Sequence, residues 1–193
     1  MMMEGTFESE TAFYSFAPQS VPKPIGWGTY KSDTNSHFYI CDFRDMIEDL
    51  PDIHKFPALI AKIHLDSMGK SPTGKFGFHV TTHLANIPNN NSWCDTWEEW
   101  YLIAMQQMIE LEEKSRGSDL KLTEISKSLL EKVIPRLLRP LQTEGRNIKP
   151  CLIHSDLWPG NIMPDAETEE PIIFDSCGFW GHNEGIFLIL ILL

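Results

Sequence analysis

An α+β fold is the architecture this sequence predicts, on three observations. Two amphipathic stretches, Thr96 to Lys114 and about Asp119 to Leu138, follow one another across "SRGSD" with the spacing of surface helices. The β-prone pieces are short and stand apart from them, two before (Ile25 to Tyr30, His37 to Phe43) and three after (Pro150 to His154, Ile162 with Met163, Pro171 to Phe174). At 193 residues and 22.2 kDa the chain can bury a real core, as one domain or at most two small ones.

Taken in order, "EGTFESETAFYSFA" (4–17) carries Phe7, Ala12, Phe13 and Phe16 at loosely helical spacing, and Pro18, Pro22 and Pro24 then break it. The next two strands flank the polar turn "KSDTN", which makes "GWGTYK" (26–31) half of a hairpin rather than a phosphate-cradling loop. Pro51 to Gly69 reads as a helix through Phe56, Leu59, Ile60, Ile63 and Leu65, with Gly69 as its stop. Lys70 to Trp93 is rich in Gly, Pro, Asn and Thr and has no period. A loop that long is expected to be functional or mobile. Asp95 or Thr96 can cap the helix that follows, with Glu98 and Glu99 in its first turn.

Charge and cysteine usage narrow the function. A formal net charge of −11 argues against a nucleic-acid surface, which needs clustered Lys and Arg. Cys41, Cys94, Cys151 and Cys177 are scattered without zinc spacing, as expected of free thiols in a reducing, cytoplasmic setting. The apolar ending "GIFLILILL" (185–193) is too short to span a bilayer, which takes about 20 residues. As a free end it is a β-prone aggregation hazard.

The chemistry lies in "CLIHSDLWPGN" (151–161) and "IIFDS" (172–176). Phosphoryl transfer asks for a carboxylate at the attacking hydroxyl and Mg²⁺ across the phosphates. Asp156 fits the carboxylate. Asn161, five residues on, and Asp175, at the end of an apolar strand, offer the hard oxygen donors Mg²⁺ prefers. His154 shares the catalytic stretch with Asp156, as a brace for the loop rather than as its base. Trp158 stands where a protein kinase usually carries Lys or Arg, and its flat apolar face suits a sugar ring. The order His-x-Asp, Asn, strand, strand, Asp points to a small-molecule kinase.

These residues resemble the fructosamine kinases, also called ketosamine-3-kinases or protein-ribulosamine 3-kinases, which are relatives of the aminoglycoside phosphotransferases. The resemblance runs through "CDFRDM" (41–46), "SPTGKFGFHVTTH" (71–83), "WCDTWEEWY" (93–101), "HSDLWPGN" (154–161) and "IIFDSCGFWGHNE" (172–184). It implies a protein-kinase-like (aminoglycoside phosphotransferase-like) fold with a partial N-lobe at 1–43, a C-lobe at 44–184 and an atypical apolar tail at 185–193. It also implies ATP-dependent phosphorylation of O3 of ketosamines, the glycation adducts on protein amines, in deglycation repair. Asp156 would be the catalytic carboxylate, Asn161 and Asp175 the Mg²⁺ ligands, and Cys41, Asp42 and Phe43 the hinge that meets adenine. Trp158 would line the sugar pocket, with His182 and Glu184 nearby.

Three departures from the family pattern stand out. Ser155 replaces the usual Gly of the catalytic loop, a strain if its φ is positive. The family's helix Glu falls on Thr6; Glu8 or Glu10 could stand in for it, but both read first as ordinary solvated helix residues. The Lys-bearing strand that precedes this region in the family, and the helices that follow "GHNE", have no counterpart. The expectation is a chain truncated at both ends, with a catalytically inert member or weak nucleotide or ketosamine binder as the alternative to an active kinase.

Overall fold

The computed structural model describes residues 1–186, so most of the apolar ending lies outside the described residues. Helix α1 (Met2–Phe16) turns Gly5, Ser9, Glu10 and Phe13 inward, and the following prolines end it as expected. Strands β1 (Pro24–Thr29) and β2 (His37–Cys41) pair antiparallel, with Trp27 opposite Tyr39 and Gly28 opposite Phe38. "GWGTYK" is therefore half of a hairpin. Helix α2 (Lys55–Ser67) starts four residues later than the spacing predicted, because the Asp52 carboxylate accepts the His54 and Lys55 N–H groups in a turn ahead of it.

The expected long loop keeps a mostly irregular backbone and is pinned to the core at a few points. Phe76 and Phe78 are buried, Phe76 exchanges backbone hydrogen bonds with Cys94, and Gly77 exchanges them with Trp180. Gly77 has φ 133°, and a Cβ there would stand 2.8 Å from the Asn91 and Ser92 carbonyl oxygens, so only glycine fits. Beyond it, β3 (His83–Leu84) and β4 (Ile87–Pro88) form a minimal hairpin. The period-2 signal of Phe-Gly-Phe was present in the sequence, but turn-forming residues surround it on both sides.

Helix α3 (Trp97–Arg116) is capped by Thr96, whose hydroxyl accepts the Glu99 N–H at 3.1 Å, as the sequence led one to expect. Trp100 stacks on Phe179 with ring centroids 4.1 Å apart and on Trp97 at 5.1 Å, which closes the core over the next sheet. The second amphipathic stretch is α4 (Leu120–Ser128), a π-turn (Leu129–Val133) and α5 (Ile134–Leu138) in one run. Pro135 lacks the N–H that would continue an α ladder, and the wider π-turn comes before it. Among the described residues no helix is long and apolar enough to cross a membrane.

Two small antiparallel pairs carry the conserved-order motifs. Strand β5 (Cys151–Ile153) pairs with β8 (Phe179–Gly181), and β6 (Ile162–Pro164) pairs with β7 (Pro171–Ile173). The β8 strand was not foreseen, since three residues beside a glycine leave no period to read. The chain between β2 and α2 adds a further edge to the second pair. Met46 bridges Asp165, the Ile47 N–H reaches the Pro164 carbonyl at 2.9 Å, and the Ala166 N–H reaches the Asp45 carbonyl at 2.9 Å. Arg44 clamps the turn through the Asp165 carboxylate at 2.8 Å and holds that carboxyl down, at about 2.

Candidate active site

Register explains how residues far apart in the chain meet. In the β6–β7 pair Ile162 faces Ile173, so the chain enters at Asn161 and leaves through Phe174 to Asp175 at the same open end. The Phe174 N–H donates to the Asn161 carbonyl at 3.2 Å and ties that end shut. From β5 the chain passes through His154 to Asp156, and the Cys177 N–H donates to the His154 carbonyl at 3.0 Å. Asp156, Asn161 and Asp175 therefore converge on one edge.

His154 is buried, its Nε2 lies 3.1 Å from the Phe174 carbonyl, and its Nδ1 lies 3.3 Å from the Asp156 N. A carbonyl can only accept and an amide N–H can only donate, so the ring is the neutral Nε2–H tautomer. Burial lowers its pKa to about 3. It holds the loop and stands ready to take no proton at neutral pH, in line with its reading as a brace.

The Asn161 amide donates from Nδ2 to both the Asp156 carbonyl (2.8 Å) and carboxylate (3.0 Å). That choice leaves its Oδ1 as an acceptor. Burial raises the Asp156 carboxyl, the Asn161 hydrogen bond pulls against the rise, and the like charge of Asp175 adds to it. Asp175 is exposed, and no described side chain or backbone group hydrogen-bonds its carboxylate. Two carboxylates and an amide oxygen gather here with no Lys or Arg among the described residues paired to them, a donor set that suits a hard divalent ion such as Mg²⁺.

Both loops hold strained backbone. Ser155 has φ 63° and Asp175 has φ 56°, left-handed values that a side chain disfavours. The substitution of Ser for Gly in the catalytic loop thus falls where it costs most. Trp158 is 45% exposed and forms one wall of an apolar groove of about 690 Å³, facing Ile53, Phe56 and Ile60. Its ring lies over Gly160, where a Cβ would come within 2.3 Å of it. Asn183 also lines the groove, whereas His182 packs toward Trp97 at 6.3 Å and Glu184 faces solvent. The hinge residues Cys41, Asp42 and Phe43 are all exposed. The Asp42 N–H is committed to the Lys23 carbonyl at 2.9 Å, and Phe43, 90% exposed, donates its N–H to no described residue.

One participant was misjudged from the sequence. Glu10 is not solvated: it is 3% exposed, and its Oε1 accepts the Ser176 N–H at 2.7 Å. Burial raises its pKa to about 7 against the pull of two hydrogen bonds from Ser176, with Asp175 adding to the rise. Beside it Ser9 Oγ lies 2.5 Å from Ser176 Oγ and accepts the Gly178 N–H at 2.8 Å. The available signal was Gly5, Ser9 and Phe13 at four-residue spacing, an inward stripe that has Glu10 on its flank. Glu8, by contrast, is a partly exposed residue that meets His79 at 3.0 Å.

Comparison with known proteins bears on the family and the fold. The fructosamine kinase family model matches residues 2–190. A ketosamine-3-kinase of Mus musculus is 30% identical over 95% of this chain and 62% of its own length. A protein-ribulosamine 3-kinase, chloroplastic, of Arabidopsis thaliana is 30% identical over 96% of this chain and 53% of its own. A crystal structure of a candidate fructosamine-3-kinase from Thermobifida fusca superposes with TM-score 0.72 at 22% identity, covering 99% of this chain and 60% of that one. An aminoglycoside phosphotransferase superposes at 0.53 and 14% identity, over 93% of this chain and 58% of that one. The α+β fold is thus protein-kinase-like, and the chain spans between half and two thirds of the length of these relatives.

Proposed function

Since the chain belongs to the fructosamine kinase family, we propose that it supplies the catalytic part of an ATP-dependent kinase that phosphorylates O3 of ketosamines on protein amines. Residues 44–184 act as the catalytic lobe, and 1–43 belong to the lobe that covers the nucleotide. The observation that carries this reading is the meeting of Asp156, Asn161 and Asp175 at one open end of the β6–β7 pair.

Asp156 orients the sugar hydroxyl and takes its proton as the phosphoryl group arrives. Its raised pKa makes it a better acceptor than an ordinary carboxylate. Asn161 Oδ1 and Asp175 would hold Mg²⁺, which neutralises phosphate charge when bound. Asn161 also keeps the Asp156 carboxylate in place through Nδ2. The free N–H of Phe43 is available to an adenine edge, and Trp158 offers its face to the sugar or its aglycone. Four free thiols, three of them buried, accord with a reducing, cytoplasmic setting.

The test is phosphate transfer from Mg-ATP to a fructosamine or ribulosamine, with Asp156→Asn as control. Loss of a general base lowers turnover by roughly 10²–10⁴-fold. Transfer no greater than in the Asp156→Asn chain would sink the proposal for these residues.

A further inference from the structure

A buried carboxyl, that of Glu10, sits on α1 and faces the loop that carries Asp175. A carboxyl is a poor choice for filling space: an apolar side chain would pack as well without a desolvation cost. Nor is it needed merely to bind α1 to the loop, because Ser9 already does so through Ser176 Oγ and the Gly178 N–H. Glu10 instead places its Oε1 at 2.7 Å from the one N–H directly after Asp175. That peptide group fixes the direction in which Asp175 leaves a left-handed backbone (φ 56°), a conformation that holds only when its surroundings impose it. The other tethers of the segment, Phe174 to Asn161 and Cys177 to His154, lie on either side and leave the 175–176 peptide to Glu10.

We infer that Glu10 is a positioning residue, whose hydrogen bond to the Ser176 N–H aims the Asp175 carboxylate toward Asn161 and Asp156. The inference rests on the reading of Asp175 as a metal ligand. It adds that the helix at the start of the chain, one residue beyond the inward stripe, governs how well the metal edge is formed. Thr6, one turn earlier, is half-buried and its hydroxyl donates to the Met2 carbonyl, so it supplies no substitute.

Mn²⁺ binding to the whole chain tests this without asking for turnover, by loss of the free-ion resonance signal with no nucleotide present. Wild type, Asp175→Asn, Glu10→Gln, Glu10→Met and Glu10→Ala are compared at a temperature where melting curves show each to be folded. Glu10→Met keeps the volume and loses the strong acceptor; Glu10→Gln keeps an acceptor oxygen. The expected result is a Kd raised about 10–100-fold in Glu10→Met and Glu10→Ala, the range for groups that orient metal ligands, and within about threefold of wild type in Glu10→Gln. Wild-type affinity in folded Glu10→Met would overturn the inference and leave the metal site standing. Equal weakening in Glu10→Gln and Glu10→Met would overturn it in favour of charge. A wild-type chain that binds no Mn²⁺, or binds it as well with Asp175→Asn, would overturn both this and the reading beneath it.

Discussion

The loop cluster around His154 and the surface around Phe43 lie a few residues from shared strands, yet they are built on opposite terms. Around His154, Phe13, Ile153 and Phe179 are all but inaccessible, and the polar groups that face the loops are paired: Glu10 with Ser176, His154 with Phe174, Ser67 with Leu152, while the Trp100 Nε1 stacked beside Phe179 is buried without a partner among the described residues. Around Phe43 the reverse holds, with Phe43, Leu50 and Ile53 at 90%, 61% and 78% exposure. Buried polar groups are tolerated only when satisfied, so the first region can adopt one arrangement. The second carries apolar area that the described residues leave uncovered. Rigidity is concentrated where charges must be aimed, and apolar surface where something flat can be received.

The sharpest way to break this contrast is through Glu10. In the fold it holds its proton up to about 7, against 4.5 for an ordinary Glu, so its contribution to stability is full below about pH 4.5 and is lost as pH rises through 7. His154 works in the other direction: neutral in the fold, it contributes above 6.5 and loses that contribution as pH falls toward 3. Subtracting Glu10→Gln from wild type removes the histidine from the comparison. The stability difference between the two, from urea denaturation, is expected to move against wild type by about 3 kcal/mol between pH 4.5 and pH 8. A difference that does not change with pH would mean that Glu10 is not held in a dry setting without a neutralising charge.

A smaller effect is expected at Ser155, where φ is 63°. Ser155→Gly removes a left-handed penalty of about 1–2 kcal/mol and gives part of it back through a looser unfolded chain, for a net gain of about 0.5–1 kcal/mol. The urea midpoint should rise with an unchanged slope. Smallest of all is Ile53→Ser in the open region, expected within about 0.5 kcal/mol of wild type by the same measurement. A loss above about 1 kcal/mol there would make that surface part of the core and erase the contrast.

What the sequence made legible follows the same division. That Asp156, Asn161 and Asp175 meet at one edge could be anticipated because the proposed phosphoryl transfer calls for those side chains in that order, whatever surrounds them. Helix α3 could be read because Thr96 caps locally and its period is strong. Glu10 could not, since its burial comes from Ser176, 166 residues away. The long loop was read as a loop, but its anchors at Phe76 and Gly77 were not, for a related reason: they pair with Cys94 and Trp180, and neither is visible from the composition of the segment itself. Ser155 lay between these cases, suspect by its type and decided only by its φ.

The stitching of 45–47 onto the β6–β7 turn has a consequence for scale. Arg44, Asp45, Met46 and Ile47 are fastened to Pro164, Asp165 and Ala166, at one end of a hairpin whose other end presents Asn161 and Asp175. Phe43 and Asp175 are thereby mounted on a single frame of hydrogen-bonded backbone, one just before its first anchor and one just past its last. The separation of the two is therefore set by backbone pairing rather than by side-chain packing, and a change in the 45–47 anchors would move one relative to the other.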